Sequence, residues 1–314
     1  MLRRSTILKK ESVDTLAIGS FDGIHVGHRQ LLNHLGTNGA LFVIDKDQAN
    51  LTPGIKRSEY AGYPCMFFHF LKVKDLSGAE FVALLTKEFP HLRKIVVGYD
   101  FCFGKHRSCT AKDLKTFFDG DVVIVDEFCY QGISVHSSLI RTYLKEGRLE
   151  EANRFLGREY AITGDIVPGQ GLGKTELVPT LNLKVLEYLI PHAGVYATRT
   201  RIAHMMYDSV SFIGVRESTD GAFSIETHIL DATLPAVHGT VELFFVAFLR
   251  ANQKFTSLSE LKSQIEHDCE QARKYRGTCR VYLSVFFVVR TSWYRHLPTT
   301  FLKLIFSLKR GNTK

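Results

Sequence analysis

The 314-residue chain lacks the features that mark several large protein classes. It has no run of about 18 apolar residues, so no transmembrane helix is expected. None of its six cysteines (Cys65, Cys102, Cys109, Cys129, Cys269 and Cys279) forms a Cys-x-x-Cys pair, which argues against a zinc cage or a redox dithiol. The basic start, MLRRSTILKK, leads into Glu11 and Asp14 rather than a long apolar segment, so no secretory signal is expected. Reduced thiols and a cytoplasmic location follow as the simplest expectation. There is no internal repeat and no low-complexity linker.

Acidic residues are missing from one region only. From Tyr275 to Lys314 there are eight Lys or Arg and no Asp or Glu, which leaves 32 basic and 32 acidic residues in the preceding 274. The formal +8 charge and the pI near 9.1 therefore describe a basic, aromatic tail and give no support to a nucleic-acid partner for the main body. Each apolar run of that tail is too short to span a bilayer, so no stable membrane insertion is expected. What is present is ordinary: 45% hydrophobic and 23% charged residues, and a length that suggests two domains.

The first half alternates apolar runs with helical patterns. Strands are expected at 15–19, 40–44, 65–68, 94–97 and 121–125, and helices at 27–35 and 79–88, which implies a parallel sheet covered on both faces. Ligands of such folds bind beyond the carboxyl ends of the strands. Helices are expected at 138–146 and 149–156. After Gly157 come six short runs at 160–167, 180–185, 194–201, 210–215, 223–230 and 240–248 without helices between them. These read as an antiparallel barrel or sandwich, and 258–273 reads as a closing amphipathic helix.

The most informative stretch is Gly19-Ser-Phe-Asp-Gly-Ile-His-Val-Gly-His28, in which a strand runs through a Gly-punctuated turn into a helix. The strand ends at Gly19, and Gly23 and Gly27 permit close backbone approach to a ligand. His25 and His28, at the amino end of the helix, are placed to stabilise charge developing on a phosphate. A plain Gly-rich turn with two surface histidines is the alternative. The stretch 168–175 imitates a Walker loop, but the required first glycine is Pro168, and 177–183 reads as extended, so that motif is rejected.

Gly-x-Phe-Asp-Gly-x-His-x-Gly-His-x-x-Leu-Leu resembles the nucleotidylyltransferase signature in its flavin form. The chain is similar over about residues 13–274 to the bacterial bifunctional riboflavin kinase/FMN adenylyltransferase family. The resemblance implies an N-terminal Rossmann-like nucleotidylyltransferase domain (1–156) and a flavokinase-type β-barrel with closing helix (157–274). A basic extension of unknown role (275–314) would follow. It implies phosphorylation of riboflavin to FMN by Mg·ATP, then adenylylation of FMN to FAD, with riboflavin, FMN and ATP as the small-molecule partners.

The resemblance assigns catalytic roles to His25, His28 and Glu226. Nucleotide binding falls to Gly19, Phe21, Asp22, Gly23, Gly27, Ser137, Ser138, Arg141, Gly171, Gly173 and Lys174. Flavin binding falls to Asp100, Phe101, Phe103 and Arg216, and Mg²⁺ binding to Thr180 and Asn182 within Pro179-Thr-Leu-Asn182. Glu226 would accept the ribityl hydroxyl proton. The chain departs from the family pattern at His136, Cys109, Phe212, Glu217, Lys174 and 176–178, where Glu-Leu-Val replaces Leu-Gly-Phe. The last departure raises the alternative of an FMN adenylyltransferase without kinase activity.

Overall fold

Apolar runs such as 15–19, 39–43 and 95–97, buried on both faces, form the central strands of a parallel sheet, and the less buried runs at 65–69 and 121–125 form its edges. In the computed structural model, which describes residues 8–48, 50–169, 178–216, 221–232, 234 and 236–277, these strands are β1 (Thr15–Gly19), β2 (Gly39–Asp45), β3 (Cys65–His69), β4 (Lys94–Gly98) and β5 (Asp121–Val125). They pair in parallel in the order β3-β2-β1-β4-β5. Alternation along β1 feeds two cores. Leu16 and Ile18 join Phe42, Phe81 and Leu85 on one face, while Ala17 joins Leu41, Val43 and Val96 on the other. All described residues lie in a unit spanning Met1–Tyr282, and the second unit, Leu283–Lys314, lies outside them.

Helices α1 (Val26–Leu32), α2 (Lys56–Ala61), α3 (Gly78–Glu88) and α4 (Leu114–Phe117) belong to this sheet domain. Ser77 and Glu80 form a capping box that starts α3. The expected helix at 27–35 ends earlier, because Asn33 terminates α1 and Leu35 is buried from the turn beyond it. α2, an unexpected element, is a six-residue helix whose buried residues are the polar Arg57 and Ser58.

Two helices, α5 (Ser137–Lys145) and α6 (Leu149–Leu156), lead into a closed antiparallel barrel, which settles the choice between barrel and sandwich. Its strands are β6 (Tyr160–Val167), β7 (Leu181–Lys184), β8 (Gly194–Ile202), β9 (Met205–Val215), β10 (Phe223–Ile229) and β11 (Thr240–Arg250), closing in the order β6-β7-β10-β9-β8-β11. Buried hydroxyls of Thr198, Thr200, Ser209, Ser211 and Thr227 satisfy one another on facing strands. Helix α7 (Leu258–Arg273) lays Cys269 and Ala272 against Val195, Ala197 and Val246, and its Asp268 is clamped by Arg250.

One apolar cluster crosses from sheet domain to barrel. Val26 and Leu51 pack with Ile140, Tyr143 and Leu156 of α5 and α6, and with Tyr160 and Phe245 of the barrel. Polar ties run beside it. The Tyr160 hydroxyl donates to the Leu189 carbonyl at 2.7 Å, Leu189 N donates to the Asn50 carbonyl at 2.9 Å, and Lys56 pairs with Glu242 at 2.6 Å. No helix of the described residues is long and apolar enough to cross a membrane.

Candidate active sites

The strand order reverses its direction of growth between β1 and β4, and the crevice at their carboxyl ends is where such sheets bind ligands. The turn after β1 carries the two histidines. It is strained: Phe21 and Ile24 both have positive φ, at 53° and 39°, and only Gly23, at 92°, adopts that region freely. A β-branched residue such as Ile24 enters that region only when its surroundings impose it.

Asp22 provides much of that constraint. Its buried carboxylate accepts from the backbone N–H of Leu51 at 3.0 Å and of Thr52 at 2.9 Å, and it is paired with Arg141. Arg141 also donates from Nε to Asn50 Oδ1 at 2.9 Å, while the Ser137 hydroxyl donates to the Asp22 carbonyl at 2.7 Å. Seven of the residues expected to bind nucleotide (Gly19, Phe21, Asp22, Gly23, Gly27, Ser137 and Arg141) are brought to one place with the histidines. Phe21 itself is buried in the core, with its ring 5.2 Å from that of His28. Ser138 is exposed on the first turn of α5, whose amino end has no side-chain cap.

The histidine rings stack, with centroids 3.6 Å apart and planes 17° from parallel. His25 caps α1: its Nδ1 accepts the backbone N–H of His28 at 3.2 Å. A neutral His25 therefore carries its proton on Nε2 and donates from that edge. A Cβ on Gly27 would lie 3.2 Å from the His25 ring, so glycine is what lets the ring seat over the helix start. Burial, then the charges of His28, His136 and Arg158, hold His25 well below the usual imidazole range. Burial, then Arg158 and His136, lowers His28 to about 3. Nδ1 of His28 is sealed from solvent without a hydrogen-bond partner. The pair is neutral at physiological pH, set among basic groups, and suited to donate to an anion without itself gaining a proton.

At the end of β4, Phe101 and Phe103 stack at 5.8 Å and lean on Phe81, while Asp100 is exposed. Phe103 is a core residue, and Phe101 is half-buried on top of it. The structure thus offers one aromatic face at the crevice rather than two.

In the barrel, β7 and β10 pair with Asn182 opposite Glu226. Thr180 Oγ1 donates to Glu226 Oε2 at 3.4 Å, and Arg216 reaches Glu226 Oε1 at 3.3 Å. Buried Thr227 faces the barrel interior, whereas Glu226 and His228 face outward, and His228 bonds the Pro179 carbonyl at 2.8 Å. This bond fixes the Pro179–Asn182 segment to the strand of the carboxylate. Beside it lies a cleft of about 340 Å³ lined by residues that include Asn182, Arg216, Phe223 and Ser224. Gly169 passes so near Asn182 that a Cβ there would collide with its amide. Gly171, Gly173, Lys174, Glu176 and Leu177 lie outside the described residues. Arg216, expected at the flavin, stands against the Glu226 carboxylate and lines the same cleft.

Three residues escaped the sequence reading: Asn50 and Thr52, which complete the Asp22 network, and Arg158. Their partners in the histidine turn are 28 to 135 positions away, so no local spacing reveals them.

Fold and sites define a chain with a nucleotidyl-transfer type of histidine turn on a parallel sheet, joined to a closed barrel carrying a carboxylate, a hydroxyl and an amide on one outer face. A family model described as riboflavin kinase matches residues 156–276, and one described as FAD synthetase matches residues 61–139. The second match contains the Asp100–Phe103 loop and Ser137, but stops short of Arg141 and leaves out the histidine turn. The bifunctional riboflavin kinase/FMN adenylyltransferase of Listeria monocytogenes is 31% identical over 83% of this chain and 91% of its own length. Its counterpart in Escherichia coli is 30% identical over 83% and 92%. A solved structure described as a macrolide-efflux protein from Streptococcus pneumoniae superposes with a TM-score of 0.76 at 26% identity, covering 86% of this chain and 97% of its own. The chain belongs to the bifunctional riboflavin kinase/FMN adenylyltransferase family.

Proposed function

We propose that the chain makes FMN and FAD by two successive transfers from ATP at two separate sites. Residues 157–274 form the kinase module, residues 1–156 the adenylyltransferase module, and 275–314 an extension with no catalytic part. In the barrel, Glu226 takes the proton of the riboflavin 5′-hydroxyl as that oxygen bonds to the γ-phosphorus of ATP. The bond from that phosphorus to the β-phosphate bridging oxygen breaks, and FMN and ADP result. Thr180 Oγ1, just before β7, and Asn182 Oδ1, within it, are hard oxygen donors two residues apart and fit Mg²⁺, whose other ligands would be phosphate oxygens and water. When bound, the ion neutralises charge on the phosphates.

At the sheet, a phosphate oxygen of FMN attacks the α-phosphorus of a second ATP, and pyrophosphate leaves as FAD forms. No covalent protein nucleophile is required. His25 donates from Nε2 and His28 from its imidazole to the phosphate oxygens, while Ser137, Ser138 and the open amino end of α5 receive the polyphosphate. Arg141 shares its charge between Asp22 and the nucleotide. Phe101 provides the surface for the isoalloxazine ring, with Asp100 at its edge. The histidine pair stacked at the amino end of α1 is the observation that carries this assignment.

Adenylyl transfer without the kinase step is not favoured, because the riboflavin kinase match extends over the whole barrel. Incubation with riboflavin, ATP and Mg²⁺, followed by chromatography, tests the proposal: FMN should appear first and FAD after it. FAD from supplied FMN but no FMN from riboflavin would leave only the adenylyltransferase reading standing.

A further inference from the structure

Arg158 lies two residues past the end of α6, on the lead-in to the first barrel strand, yet its side chain turns back into the histidine turn. Nη2 donates to the Gly23 carbonyl at 2.7 Å, and Nη1 donates to the carbonyls of Ile24 at 3.2 Å and Leu156 at 3.3 Å. The guanidinium carbon sits 4.0 Å from the centroid of the Tyr60 ring. Nε is sealed from solvent without a partner. Peptide carbonyls and an aromatic face hold this cation where a carboxylate would be the usual partner. Two of the three carbonyls belong to Gly23 and Ile24, the residues with φ of 92° and 39° that aim the turn at His25.

The approach is built from both sides. Gly157 caps α6 with φ of 68°, and a Cβ there would lie 2.9 Å from Val26 Cγ1 at the start of α1. Gly157 therefore brings the segment down onto α1 and directs the next side chain under the turn. The charged and titratable groups acting on the histidines are His136 and Arg158, and those acting on Arg158 are Arg29, Tyr60 and Tyr160.

We infer that Arg158, a residue of the kinase module, is a positioning residue for adenylyl transfer: it locks the strained Gly23–Ile24 backbone and so fixes the stacked histidines. This inference rests on the adenylyl-transfer reading above. A lysine there supplies a cation but not the planar fork that spans three carbonyls. Among the described residues the hydrogen bonds and ring contact of Arg158 go to Gly23, Ile24, Leu156 and Tyr60 and not to Thr180, Asn182, Arg216 or Glu226, so the two activities respond differently to its loss.

The test uses the full chain with Arg158→Met and Arg158→Lys. Arg158→Met is expected to lower kcat for FAD formation from FMN and ATP by about 100-fold, the scale of a small misplacement of reacting groups. Its KM for ATP should change far less, riboflavin phosphorylation should be unchanged, and Arg158→Lys should recover part of the lost rate. NMR titration of the His25 and His28 ring protons should show both pKa values rising in the Met variant. Undiminished FAD formation with unshifted histidines overturns the inference, and so does equal loss of both activities. If the native chain forms no FAD from FMN, the adenylyl-transfer reading fails. The histidine titration then decides the positioning claim by itself: a rise in the Met variant supports it, and no change refutes it.

Discussion

The two sites are assembled in opposite ways. The histidine turn is held by groups from far along the chain: the Asp22 carboxylate by the backbone N–H groups of the 50–52 loop and by Arg141, and the turn's carbonyls by Arg158. The kinase site is local to one sheet. Asn182 and Glu226 meet because neighbouring barrel strands carry them in register, Thr180 and Arg216 flank the ends of their strands beside them, and a bond from His228 to Pro179 ties the start of β7 to β10. A site made of long-range ties on strained backbone depends on the whole molecule. A site made by strand register depends on its own barrel, and substitutions should show the contrast.

The largest effects are expected from the groups that touch the reacting atoms. Glu226→Gln removes the proton acceptor and should slow riboflavin phosphorylation by roughly 10²–10⁴, while FAD formation from supplied FMN continues. His28→Ala should cut FAD formation by roughly 10²–10³ while FMN still accumulates from riboflavin. Either substitution abolishing both activities in a folded chain would erase the distinction between the sites. Chromatographic product assays with each substrate measure all four rates.

Asp22→Asn comes next. It leaves Arg141 without its carboxylate partner and weakens the bonds to the 50–52 loop, so a loss of about 2–3 kcal/mol is expected in urea unfolding. FAD formation should fall with it. An equal fall in the kinase rate would show that the barrel does not hold its site alone.

The smallest effect is on pH dependence. His25 and His28 are neutral in the folded chain, whereas unfolded histidines titrate near about 6.5. As pH falls through that value the unfolded state takes up protons that the folded state refuses. Stability should therefore decline from about 6.5 downward, with His28 contributing until its own value of about 3 is reached. The urea midpoint followed from pH 7 to pH 4 should fall, and should fall less in a His28→Gln variant.

Much of this was legible in the sequence because it is local. The runs at 15–19, 121–125, 160–167, 149–156 and 258–273 carry their own periodicity and appear with those bounds. The histidine turn was legible for the same reason, since glycine spacing and the His-x-Gly-His pattern lie within ten residues. The extra length of β9 was not, because Met205 and Met206 are exposed and carry no burial pattern. The occupation of Asp22 and Arg141 by each other was also hidden. A carboxylate and a guanidinium 119 positions apart read as two ligand-binding groups until the fold pairs them. Arg158 was missed because its sequence neighbourhood belongs to the barrel and its chemistry to the sheet.

The most direct measurement of the central claim mixes the two disabled chains. Glu226→Gln alone and His28→Ala alone should each fail to turn riboflavin into FAD in the presence of ATP and Mg²⁺. Together they should succeed, because FMN made in the barrel of one can be adenylylated at the sheet of the other. No FAD from the mixture, with each variant retaining its own single step, would contradict a pair of independent sites joined by free FMN.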